Sequence, residues 1–433
     1  MNRKRVLGLG RVQRLTTEAF WIGFGQALAI LAALIGIRVL TELLTPTAYG
    51  ELALGMTIAT LVSQTVLGPL GNGVARFYAP AVERNDVAGY LRAVVRMALW
   101  GAGLVFGLAL IAFVGLQIAG RDDWIAIMLT AALLAILSDC NSILNSIQNA
   151  ARNRAIVALH QGIESWFRIL VAAGLILWLG ATSSITMVGY AIAVMLVLVS
   201  QYVFFRKTIY REGAPVAGEN WSQRMWTFSW PFASWGIFTW AQTASDRWAL
   251  NFFGTTHEVG LYAVLFQLGY YPISLLTGMS LQFLTPIFYQ RAGAANDSGR
   301  NIAVDSLNAI LTGMVLCLTG IVSLLMYMFH ARIFALFASK DYGTVSYLLP
   351  WMTLASGVFA AGQTRALSLM SQMQTRKIAL PKITIAVLGL TLNFAAAYVE
   401  GITGIVIALV IVSSLYSLWI MALAAKHRPA SSD

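Results

Sequence analysis

Charge is scarce in this chain. Only 11% of its 433 residues are Asp, Glu, Lys or Arg, and just 18 are acidic. Against 58% hydrophobic residues and a mean hydropathy of +0.72, this excludes an ordinary water-soluble domain. Histidine is rarer still, at four residues, too sparse for a metal site. No HExxH, Walker A loop or GxSxG elbow occurs, so the common catalytic signatures are missing. The two cysteines, Cys140 and Cys317, fall in predicted spans of different halves. They are expected as free, buried thiols with no structural disulfide. No cleavable leader pattern is evident either: the basic start runs into a full-length apolar stretch, which is expected to remain. Loops on the expected outer face are short, and the longest, around Ala331–Gly343, has no room for a catalytic domain.

Long apolar runs fill the rest. A helix rising about 1.5 Å per residue needs roughly 20 apolar residues to cross a hydrocarbon core of about 30 Å. Twelve stretches qualify: 20–44, 50–70, 94–117, 124–148, 155–179, 183–205, 228–253, 259–284, 303–329, 344–364, 379–399 and 402–425. Arg332–Ser339 is too short to span and is expected at the interface. The fold class predicted is therefore all-α, a polytopic membrane protein of about twelve helices in two six-helix lobes around a central cavity.

The net charge of +11 raises the question of nucleic acid. Its distribution answers it. With the N-terminus placed in the cytoplasm, 23 of the 29 Lys and Arg residues fall in cytoplasmic segments. These include Arg76, Arg84, Arg92, Arg96, Arg152, Arg206, Arg224, Arg365, Lys382 and Lys426. Arg121, Arg332 and Lys340 fall outside, and Arg38, Arg168 and Arg247 lie within spans. This is the positive-inside pattern, repeated loop by loop. The basic excess is topology and contact with anionic lipid, and no nucleic-acid partner is expected. Both termini are placed in the cytoplasm.

The chain also repeats itself. Arg38 and Gly50 are matched by Arg247 and Gly260, at offsets of 209 and 210 residues. Each half carries an arginine near the far end of its first span, then a polar joint and a returning span. That layout predicts a two-lobed transporter with a site between its lobes. The lobes are read as 1–205 and 228–433, joined by a cytoplasmic linker at 206–227 rich in charge, Gly and Pro. Residues 1–19 are expected as a short surface helix. The joint 71–92 is expected to hold an amphipathic helix. Span 8 should kink near Tyr270-Tyr271-Pro272, since proline lacks a backbone donor.

Charged side chains inside a membrane cost at least about 2.5–3.5 kcal/mol, so each needs a reason. His160, Glu164 and Arg168 recur at i, i+4 and i+8 and share one helix face. Across an antiparallel hairpin centred near Arg152, Asp139 reaches the same depth as Glu164. Asn141, Asn145 and Gln148 add a polar stripe to that span. An Arg168–Glu164 or Arg168–Asp139 bridge between helices is the structural reading, and a functional cationic site is the other. Arg38 and Arg247 lie about 9 Å from their span ends, shallow enough to snorkel outward. Their symmetric recurrence favours a cavity instead. Asp246 beside Arg247 is either an ion-coupling carboxylate or a neutralising neighbour. Gln26, Gln64, Gln242, Gln267, Gln363 and Asn393 are mostly helix–helix hydrogen-bonding groups, with some available to hydroxyl-rich cargo.

Four runs carry a family resemblance: RVLTELLTPTAYGELA at 38–53, GNGVARFYA at 71–79, SDRW at 245–248 and EVGLYA at 258–263. They resemble Wzx-type polysaccharide repeat-unit flippases of the multidrug, oligosaccharidyl-lipid and polysaccharide exporter superfamily. The resemblance implies twelve helices in two lobes, a cationic cavity opening alternately inside and outside, and an undecaprenyl-pyrophosphate-linked oligosaccharide as cargo. It implies a bacterial cytoplasmic membrane location, and O-antigen, capsule or exopolysaccharide synthesis as the purpose. Arg38, Arg168, Arg247, Gln242 and Gln267 are then the candidate substrate-binding residues. Asp139, Glu164 and Asp246 are the candidate ion-coupling residues. Partners would be the lipid-linked oligosaccharide and membrane lipids, with a polysaccharide polymerase and assembly proteins as further candidates. No cofactor, metal or catalytic residue is expected. A cation-coupled multidrug exporter and a peptidoglycan-precursor flippase of the same superfamily are the alternatives. The latter usually carry fourteen spans and a span 1 arginine motif with no clear counterpart here.

Overall fold

A computed structural model describes residues 3–209, 219–293 and 297–427. Side chains up to residue 20, and at 22 and 208, lie outside the description, as do the linker residues 210–218 and the tail from 428. All described elements are helical. In order they are α1 (Arg3–Leu43), α2 (Pro46–Val62), α3 (Gly68–Glu83), α4 (Val87–Ile118), α5 (Asp123–Ala150), α6 (Arg154–Leu179) and α7 (Ser183–Thr208). Then follow α8 (Trp221–Phe253), α9 (Thr256–Gly269), α10 (Tyr271–Ala292), α11 (Ser298–Phe337), α12 (Leu349–Ser371) and α13 (Thr375–Lys426). Among the described residues nine helices are long and apolar enough to cross a membrane, and the bent pair α9–α10 makes ten. α13 is two helices broken at Gly401, whose φ of 55° stops the ladder, and α8 is long enough to span. With α8 and the two parts of α13 counted separately, the described residues are consistent with about twelve spans.

The turns sit where the sequence places its breakers. Pro46 opens α2 after the end of α1. Gly120 and Gly180 adopt positive φ between α4 and α5 and between α6 and α7, where only glycine is unstrained. Thr182 and Thr255 cap α7 and α9, the latter in a full capping box with Glu258. The bend of 40° between α9 and α10 falls at Tyr270, with Pro272 in the first turn of α10. The joint after α2 does hold a helix, α3, with one buried face.

Residues 332–337 form the end of α11, which runs unbroken to Phe337. Two expectations are corrected. Residues 3–19 continue α1 into the first span as one helix, and the side chains expected to face the surface there lie outside the description. Cys140 and Cys317 are free, but Cys317 is exposed, because α11 turns most of its surface outward.

The chain forms two compact units. One comprises 1–44 with 51–240, and the other 45–50 with 241–433. The first is centred on Leu70, Val74, Tyr90, Ile143, Ile147, Trp221 and Met225. Trp221, 2% exposed, lies inside the stretch read as linker, so α8 starts there rather than at 228. The second unit is built on Ile385, Tyr416 and Ile420 and on Phe288, Val304 and Leu367. Within it the first turns of α2 and α9 cross closely. A Cβ on Gly50 would lie 1.9 Å from the Thr256 carbonyl oxygen, and one on Gly260 would lie 1.9 Å from that of Pro46. Paired glycines let two backbones touch in this way.

Candidate functional site

In the first unit the polar groups gather on α5 and α6. Arg168 donates from Nε to Glu164 Oε1 at 3.1 Å and from Nη2 to the same oxygen at 2.6 Å. Its Nη2 also reaches Ser138 Oγ at 3.2 Å, and its guanidinium stands 6.0 Å from the Tyr190 ring centre. Glu164 accepts a further bond from Asn141 Nδ2. The bridge foreseen as Arg168–Glu164 or Arg168–Asp139 is therefore the former. Asp139 is 5% exposed and lies beside Ser63, with its Oδ2 buried without a hydrogen-bond partner. Ser63 opens a single π-helical turn, Ser63–Leu67, between α2 and α3. Such turns break the regular ladder and recur at functional sites.

The polar stripe of α5 continues along the helix. Asn145 Oδ1 accepts from Gln201 on α7 at 2.5 Å. Gln148, fully buried, has both amide atoms unbonded. His160 shares the Arg168 face but bonds Ile156 O and Ser200 Oγ at 2.8 and 3.2 Å. Buried polar atoms are nearly always satisfied, by water or an ion where protein does not serve. Asp139 Oδ2 and Gln148 are two of several buried polar groups of the first unit with unbonded atoms, along with Gln64, Asn141, Gln201 and Ser229.

Arg38 stands apart from this cluster. It pairs with Glu42 one turn on, at an exposed position near the end of α1. Arg247, its sequence counterpart, has other surroundings. It is 14% exposed, with Nη1 at 3.5 Å from Asp246 and 3.2 Å from the Thr243 carbonyl. Its guanidinium lies 4.7 Å from the Phe266 ring, which stacks in turn on Tyr270 at 4.8 Å. Asp246 accepts from Tyr262 Oη at 2.6 Å and from the Arg247 backbone N–H at 2.7 Å. Next to it, Asn393 donates to Ser245 across α13 and α8 at 2.9 Å. Gln267 accepts from Tyr49 Oη at 3.2 Å, while Gln242 is exposed.

One group escaped the sequence reading. Arg365, expected in a cytoplasmic loop, is 8% exposed within α12. It pairs with Asp305 on α11 at 2.9 Å and bonds Asn308 Oδ1 at 3.1 Å. Ser368 completes the network through Asp305 Oδ1 at 2.9 Å. The signal was present: Asp305, Asn308 and Thr312 on one helix and Arg365, Ser368 and Gln372 on the next recur at helical spacing. Among the described residues no group of three His, Cys, Asp or Glu side chains could hold a metal ion.

Known proteins share this architecture. A family profile described as polysaccharide biosynthesis protein matches residues 15–292. No curated protein matches the chain in sequence. Among solved structures, the lipid II flippase MurJ in an inward closed conformation is similar, with a TM-score of 0.70 at 14% identity. The match covers 95% of this chain and 87% of that one. An inward-facing MATE-family multidrug resistance transporter of the MOP superfamily gives 0.67 at 14% identity, over 94% and 96% of the two chains. A mutant of the Vibrio cholerae MATE transporter VcmN gives 0.57 at 15%, over 96% of each. At these identities the likeness is one of fold.

Proposed function

Because the chain belongs to the polysaccharide biosynthesis protein family, we propose that it is a flippase for undecaprenyl-pyrophosphate-linked oligosaccharide repeat units. It is read as a transporter and not an enzyme. It works by alternating access in the bacterial cytoplasmic membrane, with both termini in the cytoplasm. The product feeds O-antigen, capsule or exopolysaccharide synthesis. The observation that carries this reading is a pair of guanidiniums inside spans, one in each unit. Arg168 and Arg247 each hold one carboxylate, Arg168 beside one aromatic ring, Tyr190, and Arg247 beside two, Tyr262 and Phe266. A pyrophosphate is a bidentate anion, and a planar guanidinium of low hydration is the side chain best shaped to take it. Each carboxylate keeps its arginine oriented and partly neutral until the anion arrives. Arg38, Gln242 and Gln267 would add contacts to the head group and sugar. Asp139, with its unbonded oxygen, and Glu164 and Asp246 are the groups we assign to proton or sodium coupling.

Export of the polysaccharide by cells carrying Arg168→Ala or Arg247→Ala tests the assignment. Each is expected to fall at least about tenfold, the equivalent of ~1.4 kcal/mol. Arg168→Lys should recover only part, since an ammonium keeps the charge and loses the fork. Wild-type export from both alanine variants, present in the membrane at normal level, would remove these roles. A cation-coupled drug exporter and a peptidoglycan-precursor flippase share the fold. Raised resistance to cationic dyes in an expressing strain, or rescue of peptidoglycan synthesis, would replace the present reading.

A further inference from the structure

A cavity of about 690 Å³ lies in the first unit, between the π turn with α3, the helix α4 and the beginning of α8. Its volume falls in the ~300–1,000 Å³ range of ligand sites. Its two ends differ. Asn220, Ser222 and Gln223 line one end, while Leu104 and Ala233 mark the other, with Trp226 and Trp230 along α8. Trp221 Nε1 donates to Asp86 Oδ2 at 2.7 Å, which fixes the starts of α8 and α4 side by side. The polar end of the cavity is therefore the end from which α4 also begins.

Charge collects at that end. Glu219 is taken by Arg84 and Arg224, and Asp86 by Trp221 and the α4 cap. Glu83, Arg92 and Arg96 are exposed there. Arg92, Arg96 and Trp100 recur at i, i+4 and i+8, and Trp100 and Met97 line the cavity. Ser229, a lining residue 3% exposed, has its Oγ against Gly73 of α3, where a Cβ would lie 2.5 Å from it. α4 turns nearly all its surface outward, so the chamber is reached from the lipid side.

We propose that this cavity binds one anionic phospholipid, with an acyl chain among Trp100, Trp226 and Trp230 and the phosphate at Arg96. Asn220, Ser222 and Gln223 bond the rest of the head group. This site is separate from the Arg168 and Arg247 groups and does not depend on the cargo assigned to them.

Tryptophan emission of the full-length protein in phosphatidylcholine nanodiscs tests it. The lipid would be spiked with brominated-acyl phosphatidylglycerol or brominated-acyl phosphatidylcholine. The Trp226→Phe/Trp230→Phe variant isolates the signal of those two rings. Brominated phosphatidylglycerol is expected to quench that signal at about fivefold lower mole fraction than brominated phosphatidylcholine, the gain of one surface cation. Arg96→Ala should abolish the preference. Ala233→Phe, which fills the apolar end, should abolish the quenching of both rings while leaving circular dichroism unchanged. Equal quenching by the two lipids, or quenching indifferent to Ala233→Phe, would overturn the site. Displacement of the brominated phosphatidylglycerol by equimolar polyprenyl phosphate, with no effect of equimolar unlabelled phosphatidylglycerol, would overturn the phospholipid assignment.

Discussion

At the scale of single residues, charges in the spans are held in one of two ways. Arg365 and Asp305 are sealed, with the pair and its amide and hydroxyl neighbours buried together. Removing one partner leaves the other charge in a low dielectric, which costs about 3–5 kcal/mol. Arg365→Ala is therefore expected to lower the thermal unfolding temperature of purified protein sharply. The double variant Arg365→Met/Asp305→Leu should regain most of the loss, because apolar replacements of similar volume strand no charge. Arg168 differs: a quarter of its side chain stays accessible, so its pair with Glu164 is only partly desolvated. Glu164→Gln keeps the Asn141 contact and removes the counter-charge. It should change export more than stability, measured by transport and unfolding on the same preparation.

At the scale of elements, glycine has two separate uses. Gly50 and Gly260 sit where α2 and α9 touch, and any Cβ would strike a carbonyl oxygen. Gly50→Ala and Gly260→Ala should each destabilise by about 1–3 kcal/mol or more, since neither backbone can yield without moving its helix. Gly103 and Gly107 on α4 face open space, with no atom within 4 Å of where a methyl group would stand. Alanine there should be neutral or stabilising by about 0.5–1 kcal/mol, through helix propensity alone. Differential scanning fluorimetry on the four variants separates the two cases, and equal effects would contradict the close crossing. The bend at Tyr270 belongs to this scale too: Pro272 ends one hydrogen-bond ladder and starts the next.

At the scale of the whole molecule, the positive-inside pattern makes a topological prediction. In a cysteine-free background, Asp122→Cys in the joint between α4 and α5 should react with a membrane-impermeant maleimide on intact spheroplasts. Asn153→Cys, between α5 and α6, should react only after permeabilisation. The reverse pattern would invert the chain. On this reading the net charge that raised the question of nucleic acid would set the orientation that the labelling tests.

What the amino-acid sequence determined by itself was the set of spans, their breakers and the repeat. Apolar length, proline and glycine act locally against a bilayer of set thickness, so Thr45-Pro46, Gly180 and Tyr270-Tyr271-Pro272 were legible as turns and bends. The shared face of His160, Glu164 and Arg168 was legible for the same reason. What only the tertiary structure decided was which polar groups meet. A helix's rotation about its own axis is set by packing against its neighbours, and spacing along one chain does not report it. Hence Arg168 took Glu164 and Ser138 and not Asp139. Hence Arg365 turned inward to Asp305, although its place near the end of a span had read as a loop. Hence too Arg38 and Arg247, alike in the repeat, ended in unlike surroundings: one beside an exposed glutamate, the other laid on a stack of aromatic rings.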